Sequence, residues 1–367
     1  MTFEEDYEVR PAKDFNQIEK TWMASFQEWG RGVMDINTYK GREQALFDTK
    51  FGQENLTVWL FGKKQEFEEN ENTMNFVSHL ETFKRPVLLR RSNSNKVLVV
   101  DCYSIASVFC PVENRGNGYA VAMMKAIHKK LSSMCSLSTL YSDIGDVYYK
   151  KVGWDNYKTR SIELDVNSFN DENSQGSDNK TLVRRVEKKE LEIIFNNDAT
   201  AIKNEFERMP NSNNTRIILI PNYEQLEWRW VRDQYEGEVC LGIKETPVIK
   251  GAVYSDTDSL DKDESEVPSY IIWTHSFRKK KLLILRSRFN SVEHIKPLVD
   301  EAIIEAKTHS LGKILFWGIG DTEAPVFESV YGVKTESLQM PIPALAFFDK
   351  EENEKVDWLM NQYYPWV

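Results

Sequence analysis

Residues 97 to 131 read VLVVDCYSIASVFCPVENRGNGYAVAMMKAIHKKL, and they constrain the fold more than any other stretch. A run rich in β-branched and aromatic residues, 97–109, has the character of a strand, long enough to hold a bulge or bend. Pro111 stops it, because proline has no amide proton to give to a ladder. A loop with two glycines follows. From Ala120 the apolar residues fall at Ala120, Met124, Ile127 and Leu131, steps of four, three and four, which is one stripe of a helix. A second strand-like run, STLYSD at 138–143, comes next. A strand, a one-faced helix and a strand in that order form a crossover, so the helix must cover a sheet.

The flanking segments extend that sheet. YEVRPA near the start, TVWLFG at 57–62, FVSHLETF at 76–83 and PVLLRR at 86–91 are strand-like, and KKQEFEENENT at 63–73 reads as an acidic loop. After the crossover, VYYKKVGW at 147–154 reads as a helix and TRSIELDV at 159–166 as a strand. The order predicts an α/β (α+β) chain with a mixed, mostly antiparallel sheet flanked by helices. Asn167 to Lys180 is almost wholly polar and aperiodic, which places a linker at 171–180 between domains at 1–170 and 181–367. The second half repeats the pattern: a strand at 281–289, a helix at 291–311, a strand at 313–320, then a short helix and its exit at 327–337. Both halves end this unit on a glycine followed by a large apolar residue, Gly153-Trp154 and Gly332-Val333, as in a degenerate repeat.

Charge and composition narrow the function. The net charge of −10 over 367 residues disfavours nucleic acid and is compatible with a cationic small molecule. No apolar run approaches a membrane span, and the acidic start lacks the pattern of a signal peptide. Cys102, Cys110, Cys135 and Cys240 are scattered and read as reduced thiols of a cytoplasmic or nuclear protein. None of His79, His128, His275, His294 and His309 has a ligand-spaced partner in the sequence, so no metal is expected. Trp228 and Trp230 read as core or interface aromatics.

The glycine loop carries the chemistry. A helix N-terminus attracts acids, each worth about 0.3–1 kcal/mol, yet the first turn here, Gly118-Tyr119-Ala120-Val121, has none. The amides from Gly116 through Asn117 and Gly118 to Tyr119 and Ala120 are therefore free to meet an anion, and glycine lets the backbone approach it. Arg115 stands at the rim. The third glycine of a dinucleotide loop is missing, since position 121 is Val, and so is the Gly-Lys-Ser/Thr of a P-loop.

Arg115-x-x-Gly118-x-Ala120 after a strand ending Val108-Phe109-Cys110-Pro111, with Tyr148-Tyr149-Lys150-Lys151-Val152-Gly153-Trp154 later, resembles the GNAT superfamily of acetyl-coenzyme A-dependent N-acetyltransferases over about residues 5 to 166. The words SHLETFKRP, YSIASVF, YSDIGDVYYKKVGW and the closing MPIPALAFF and VDWLMNQYYPWV are similar to the fungal lysine acetyltransferases of lysine catabolism across both halves. The resemblance implies a GNAT-like sheet with a second, degenerate GNAT-like lobe. It implies acetyl transfer from acetyl-CoA to the side-chain amine of a small cationic acceptor, free L-lysine first, by direct attack. A protein or polyamine acetyltransferase and a catalytically silent CoA-binding scaffold are the alternatives.

By the same resemblance, Val108 and Cys110 pair with the pantetheine arm, a backbone N–H near Phe109 polarises the thioester carbonyl, and residues 115–120 hold the pyrophosphate. Tyr149 aligns with the general acid. Ser142 and Gly145 stand where the superfamily often has Asn and Ala. A lysine ammonium, with a pKa near ~10.4, must lose a proton before it attacks. Glu81, Asp101 and the C-terminal carboxylate of Val367 are the candidate bases. The matching loop of the second half, Arg288 to His294, has no glycine and carries Glu293, which suits a capped helix and repels phosphate.

Overall fold

The computed structural model describes residues 3–169, 183–254, 267–351 and 354–367; the expected linker at 171–180 lies outside the described residues. In chain order come α1 (Phe3–Asp6), β1 (Tyr7–Pro11), α2 (Phe15–Trp29), α3 (Ile36–Phe47), α4 (Lys50–Asn55), β2 (Leu56–Lys63) and α5 (Lys64–Glu69). The long antiparallel pair β3 (Ser78–Arg90) and β4 (Val97–Phe109) follows, then α6 (Tyr119–Ser132), β5 (Leu137–Ser142), β6 (Asp155–Asn156) and β7 (Arg160–Asp165). Next are β8 (Val183–Glu187), α7 (Leu191–Arg208), β9 (Thr215–Leu219), α8 (Tyr223–Tyr235), β10 (Ile249–Tyr254), β11 (Ser269–Ser276) and β12 (Lys281–Arg288). The last elements are α9 (Ile295–Thr308), β13 (Lys313–Trp317), α10 (Ala324–Tyr331), β14 (Glu336–Ser337), β15 (Ile342–Phe347) and β16 (Val356–Trp358).

Two mixed sheets result, and they exchange strands. The first runs β1-β2-β3-β4-β5-β15-β6, with β9 paired to the outer half of β3 and β16 to β9; the second runs β14-β7-β13-β12-β11-β10-β8. β7 precedes the polar segment in sequence yet sits in the second sheet, beside β13. β15 comes from the far end of the chain and pairs with β5 in the first. One core therefore spans both halves, joining Val87, Leu89 and Leu137 to Trp230, Leu283 and Tyr363. In the first lobe α6 buries Met123, Met124, Ile127 and Leu131 completely, each worth about 1.5–3 kcal/mol.

Three expectations are corrected. The runs at 76–83 and 86–91 form one strand, β3; Pro86 lies within it, and the pairing with β9 begins just beyond, at Val87. The acidic segment after β2 starts as a helix, α5, because Phe67 turns into the core. The segment 147–154 has only a single 3₁₀ turn, Lys150–Val152. Gly153 ends it at φ +108, where an added Cβ would stand 2.4 Å from the His128 ring, and Trp154 then turns inward to donate to the Ser138 hydroxyl at 3.3 Å. Helices α7 and α8, and near the start α2, α3 and α4, stand where no sequence expectation placed an element. Each of α2, α3 and α4 is started by its own capping side chain, Asp14, Asp35 and Thr49.

Candidate active site

The site begins with a bulge. His79 of β3 pairs with Phe109 of β4, but Glu81 pairs with Ala106, so β4 carries one residue more. Ser107 takes up the excess at φ +51. A bulge bends its strand. β4 and β5 pair in parallel from Cys102 and Leu137 to Ile105 and Leu140, and no further. Beyond that point β5 pairs only on its other side, with β15 as far as Ile342. The two strands part there, and Val108, Phe109 and Cys110 continue on the β4 side without a partner from β5. The Cys110 carbonyl already accepts from Arg115 Nε at 3.0 Å.

The glycine loop follows the end of β4. Gly116 and Gly118 have φ of +83 and +81, and Gly118 is the N-cap of α6 with no side-chain cap. The Ala122 amide donates to the Gly118 carbonyl at 3.0 Å; among the described residues, the amides from Gly116 to Val121 have no acceptor. This is the row of donors that the sequence implied. Asn117 is exposed and its side chain bonds back to the Asn114 carbonyl at 3.3 Å. Tyr119 faces inward against Phe3 and Tyr7. Arg115 is half exposed and pairs with Glu28 at 3.2 Å.

A cleft of about 610 Å³ lies between the lobes. Its walls include Glu81 and Ser107 from the first sheet, Arg42 and Glu43 from α3, Trp228 and Arg232 from α8, and Trp366 and Val367 from the tail. Burial pushes the Glu81 carboxyl up to about 7; the Glu43 charge adds to this, while Ser107, Arg232 and Arg42 pull the other way. Of the three candidate bases, Glu81 and Val367 both line this cleft. Asp101 does not: it is exposed on β4 and pairs with Lys84 at 2.9 Å.

Tyr149 and Tyr148 pack edge to face, with centroids 5.0 Å apart. Burial, then Tyr148 and Asp143, hold the Tyr149 hydroxyl well above the ordinary tyrosine range, so it keeps its proton at neutral pH. Asp143 lines the cleft. Ser142 is fully buried and donates to the Gly145 carbonyl at 2.6 Å, so its hydroxyl shapes its own turn. Trp228 packs against Phe83 beside the cleft, and Trp230 is a core residue that donates to the Trp273 carbonyl. All four cysteines are free.

The tail was recognised in sequence as family wording, but its course was not. Tyr364 N–H donates to the Leu285 carbonyl at 2.8 Å, and the Gln362 side-chain oxygen accepts from Ser287 N–H at 3.0 Å. Arg85 donates to the Pro365 carbonyl at 2.9 Å. The histidine reading is also corrected. β11 brings His275 to Glu305 of α9 and to His309, the residue that caps the end of that helix, with the Glu305 Oε1 at 2.8 Å from the His275 ring and 3.3 Å from the His309 ring. A carboxylate only accepts, so the His275 Nε2 that bonds to it carries a proton. Glu305 and His309 stand four apart in the sequence, a spacing that the sequence reading passed over, and strand–helix packing adds His275.

A family model described as the LYC1 GNAT-like C-terminal domain matches residues 167–367. A lysine acetyltransferase of Yarrowia lipolytica is 23% identical over 351 residues, covering 82% of each chain. An uncharacterised protein of Saccharomyces cerevisiae is 23% identical over 346 residues, covering 83% of this chain and 82% of its own. Among solved structures, a probable N-acyltransferase of Enterococcus faecalis superposes with a TM-score of 0.59 at 12% identity, covering 92% of this chain and 72% of that one. A GCN5-related N-acetyltransferase of Anabaena variabilis gives 0.55 at 15% identity, covering 94% and 73%. Among the described residues no helix is long and apolar enough to cross a membrane.

Proposed function

The chain belongs to the LYC1 GNAT-like family, and we propose that this acyltransferase moves acetyl from acetyl-CoA to the side-chain amine of free L-lysine. Three features support the reading together: unpaired amides at the start of α6, strands β4 and β5 that part after Ile105 and Leu140, and a cleft of mixed charge lined by Ile105, Ala106 and Ser107 of β4 and Tyr141 of β5. When bound, acetyl-CoA supplies the acetyl group and a thiolate leaving group. Residues 115–120 hold its pyrophosphate, and Val108 to Cys110 hold its pantetheine arm. Glu81, ionised above pH 7 or so, takes the proton from the lysine ammonium, directly or through water. The neutral amine attacks the thioester carbonyl, and the C–S bond breaks as the C–N bond forms. Tyr149, still protonated there, gives a proton to the departing sulfur, and the second proton lost by the nitrogen restores Tyr149 directly or through water. The relative from Yarrowia lipolytica is named for lysine, and the cleft has acids for an ammonium and arginines for a carboxylate.

Coenzyme A release from acetyl-CoA, measured with and without L-lysine, tests the reading. Wild type is expected to turn over, and Tyr149→Phe to lose about 10²-fold or more in kcat while still binding acetyl-CoA. Turnover that is unchanged in Tyr149→Phe removes the acid from the scheme; no transfer to any amine removes the activity. The pH profile tests the base. Glu81 is protonated below about 7, so activity rises with pH through that value, and Glu81→Gln loses this limb. The stability sign is opposite. A carboxyl with a raised folded pKa binds more protons folded than unfolded, so its contribution falls as pH climbs from about 4.5 to 7. Glu81→Gln flattens that fall in pH-dependent thermal unfolding.

A further inference from the structure

The cleft is lined by acids and cations alike, and two of its cations keep hydrogen-bond donors that the protein leaves unused. Arg229, Arg232 and Asp233 lie on α8, with Glu236 just after it. Asp233 is taken: Arg229 meets it with two bonds at 2.9 and 3.2 Å, and Thr274 donates to it at 2.8 Å. Glu236 is shared three ways, with Arg42 Nη1 at 2.8 Å, Arg278 Nε at 3.7 Å and Arg232 Nε at 3.8 Å. At 3.8 Å Arg232 makes no hydrogen bond, and among the described residues its guanidinium donates none. Lys279 likewise has no ion pair among them. Both line the cleft and both stand over the Trp366 indole, at 5.3 and 5.8 Å. An arginine with five idle donors facing a cavity is poised for a planar, two-oxygen acceptor.

We infer that Arg232 and Lys279, set on the Trp366 ring, form a subsite for the α-carboxylate of the acceptor, which restricts the enzyme to free amino acids bearing a distal amine. The inference rests on the acetyltransferase reading and deepens it. A polyamine has no carboxylate to offer, and a lysine within a protein has lost its own to a peptide bond. Arg232 and Lys279 are thus specificity residues that bind substrate and take no part in the proton transfers.

The test compares L-lysine with 1,5-diaminopentane, the same chain without the carboxylate, by steady-state coenzyme A release. Wild type is expected to favour L-lysine by about tenfold or more in kcat/KM. Arg232→Gln and Lys279→Met are expected to raise KM for L-lysine about tenfold, with kcat little changed, and to leave the diamine parameters alone. Arg232→Lys restores part of the difference. Lys279 is exposed, so its variant carries the same test should Arg232→Gln lose thermal stability. Equal losses on both amines, or a wild type that uses the diamine as well as L-lysine, overturn the subsite and leave the activity standing. Transfer to neither amine, with acetyl-CoA still bound in a titration, overturns the acetyltransferase reading beneath it.

Discussion

The two lobes contain the same strand–helix–strand unit, finished in opposite ways. In the first, β4 and β5 part after Ile105 and Leu140, and the gap stays open. In the second, β12 and β13 pair only from Lys281 and Lys313 to Leu283 and Leu315, and then they part as well. There the gap holds the chain's own tail: Tyr364 bonds to Leu285, Gln362 bonds to Ser287, and Tyr363 packs on Trp317 with ring centroids 4.2 Å apart. The helix starts differ in the same sense. α6 begins on two left-handed glycines with its amides bare, whereas the turn leading into α9 is capped by Ser291, which accepts from the Glu293 amide. One splayed strand pair stays open and its counterpart is used to fasten the tail. The difference teaches that the splay belongs to the fold, and that what fills it decides between catalysis and architecture.

The comparison breaks most visibly at the tail. Tyr364 is 3% exposed, donates its amide to Leu285 and its hydroxyl to the Leu219 carbonyl, and joins the core that spans both lobes. Tyr364→Ala is expected to cost about 3–5 kcal/mol, read as a lower midpoint in urea unfolding. A change within about 0.5 kcal/mol would mean that the tail only rests on the second lobe, and the likeness between a bound arm and a bound tail would fail.

The next largest effect lies in the first lobe. Gly118→Glu puts a carboxylate among the bare amides, at a φ of +81 that a side chain adopts at a cost of about 1–2 kcal/mol. An added Cβ meets only the edge of the Phe3 ring, at 3.4 Å, so the local fold has room for it. The like charge should weaken acetyl-CoA binding by several kcal/mol, about a hundredfold or more, with far-ultraviolet circular dichroism unchanged. Calorimetric affinity within a factor of three of wild type would remove the pyrophosphate from this loop.

The loop was legible in the sequence because its signal is local. Two glycines, an absent acid and a four-three-four stripe are fixed by neighbours along the chain. The same is true of Glu293 in the second loop, while the Ser291 cap came only with the structure. The cleft was not legible in this way. Glu81 was named as a base among three candidates, but what sets it apart is burial against α3 and α8, neither assigned from sequence. Arg232 gave no signal at all, since an arginine among the charges of a polar helix looks like a solvated face until the opposite wall is known. Strand exchange between the sheets is illegible for the same reason: β7 and β15 have ordinary strand patterns, and only their partners reveal which sheet they serve.

A smaller effect is expected at the second loop. Ser291→Ala removes the cap that holds the Glu293 amide and should lower stability by about 1 kcal/mol. Acetyl-CoA affinity should not move. A change in affinity would mean that the second lobe takes part in binding the nucleotide, and the division of labour drawn above would have to be given up.

The smallest effect tests the rim of the open lobe. Arg115 is half exposed, and its partner Glu28 is more so, which makes their 3.2 Å pair cheap to break. Its Nε bond to the Cys110 carbonyl ties the side chain to the end of β4, between the loop and the gap. A phosphate arriving at the bare amides can therefore draw the Arg115 Nη2 away from Glu28 without dismantling the loop. Arg115→Gln should weaken acetyl-CoA about two- to fivefold at low salt and less as salt rises, because exposed charges are screened within about 10 Å at 0.1 M. Glu28→Gln should tighten binding slightly over the same salt range, since it frees the arginine. If both substitutions weaken binding equally, the Arg115–Glu28 pair acts as a structural clasp on the loop, and the amides alone meet the anion.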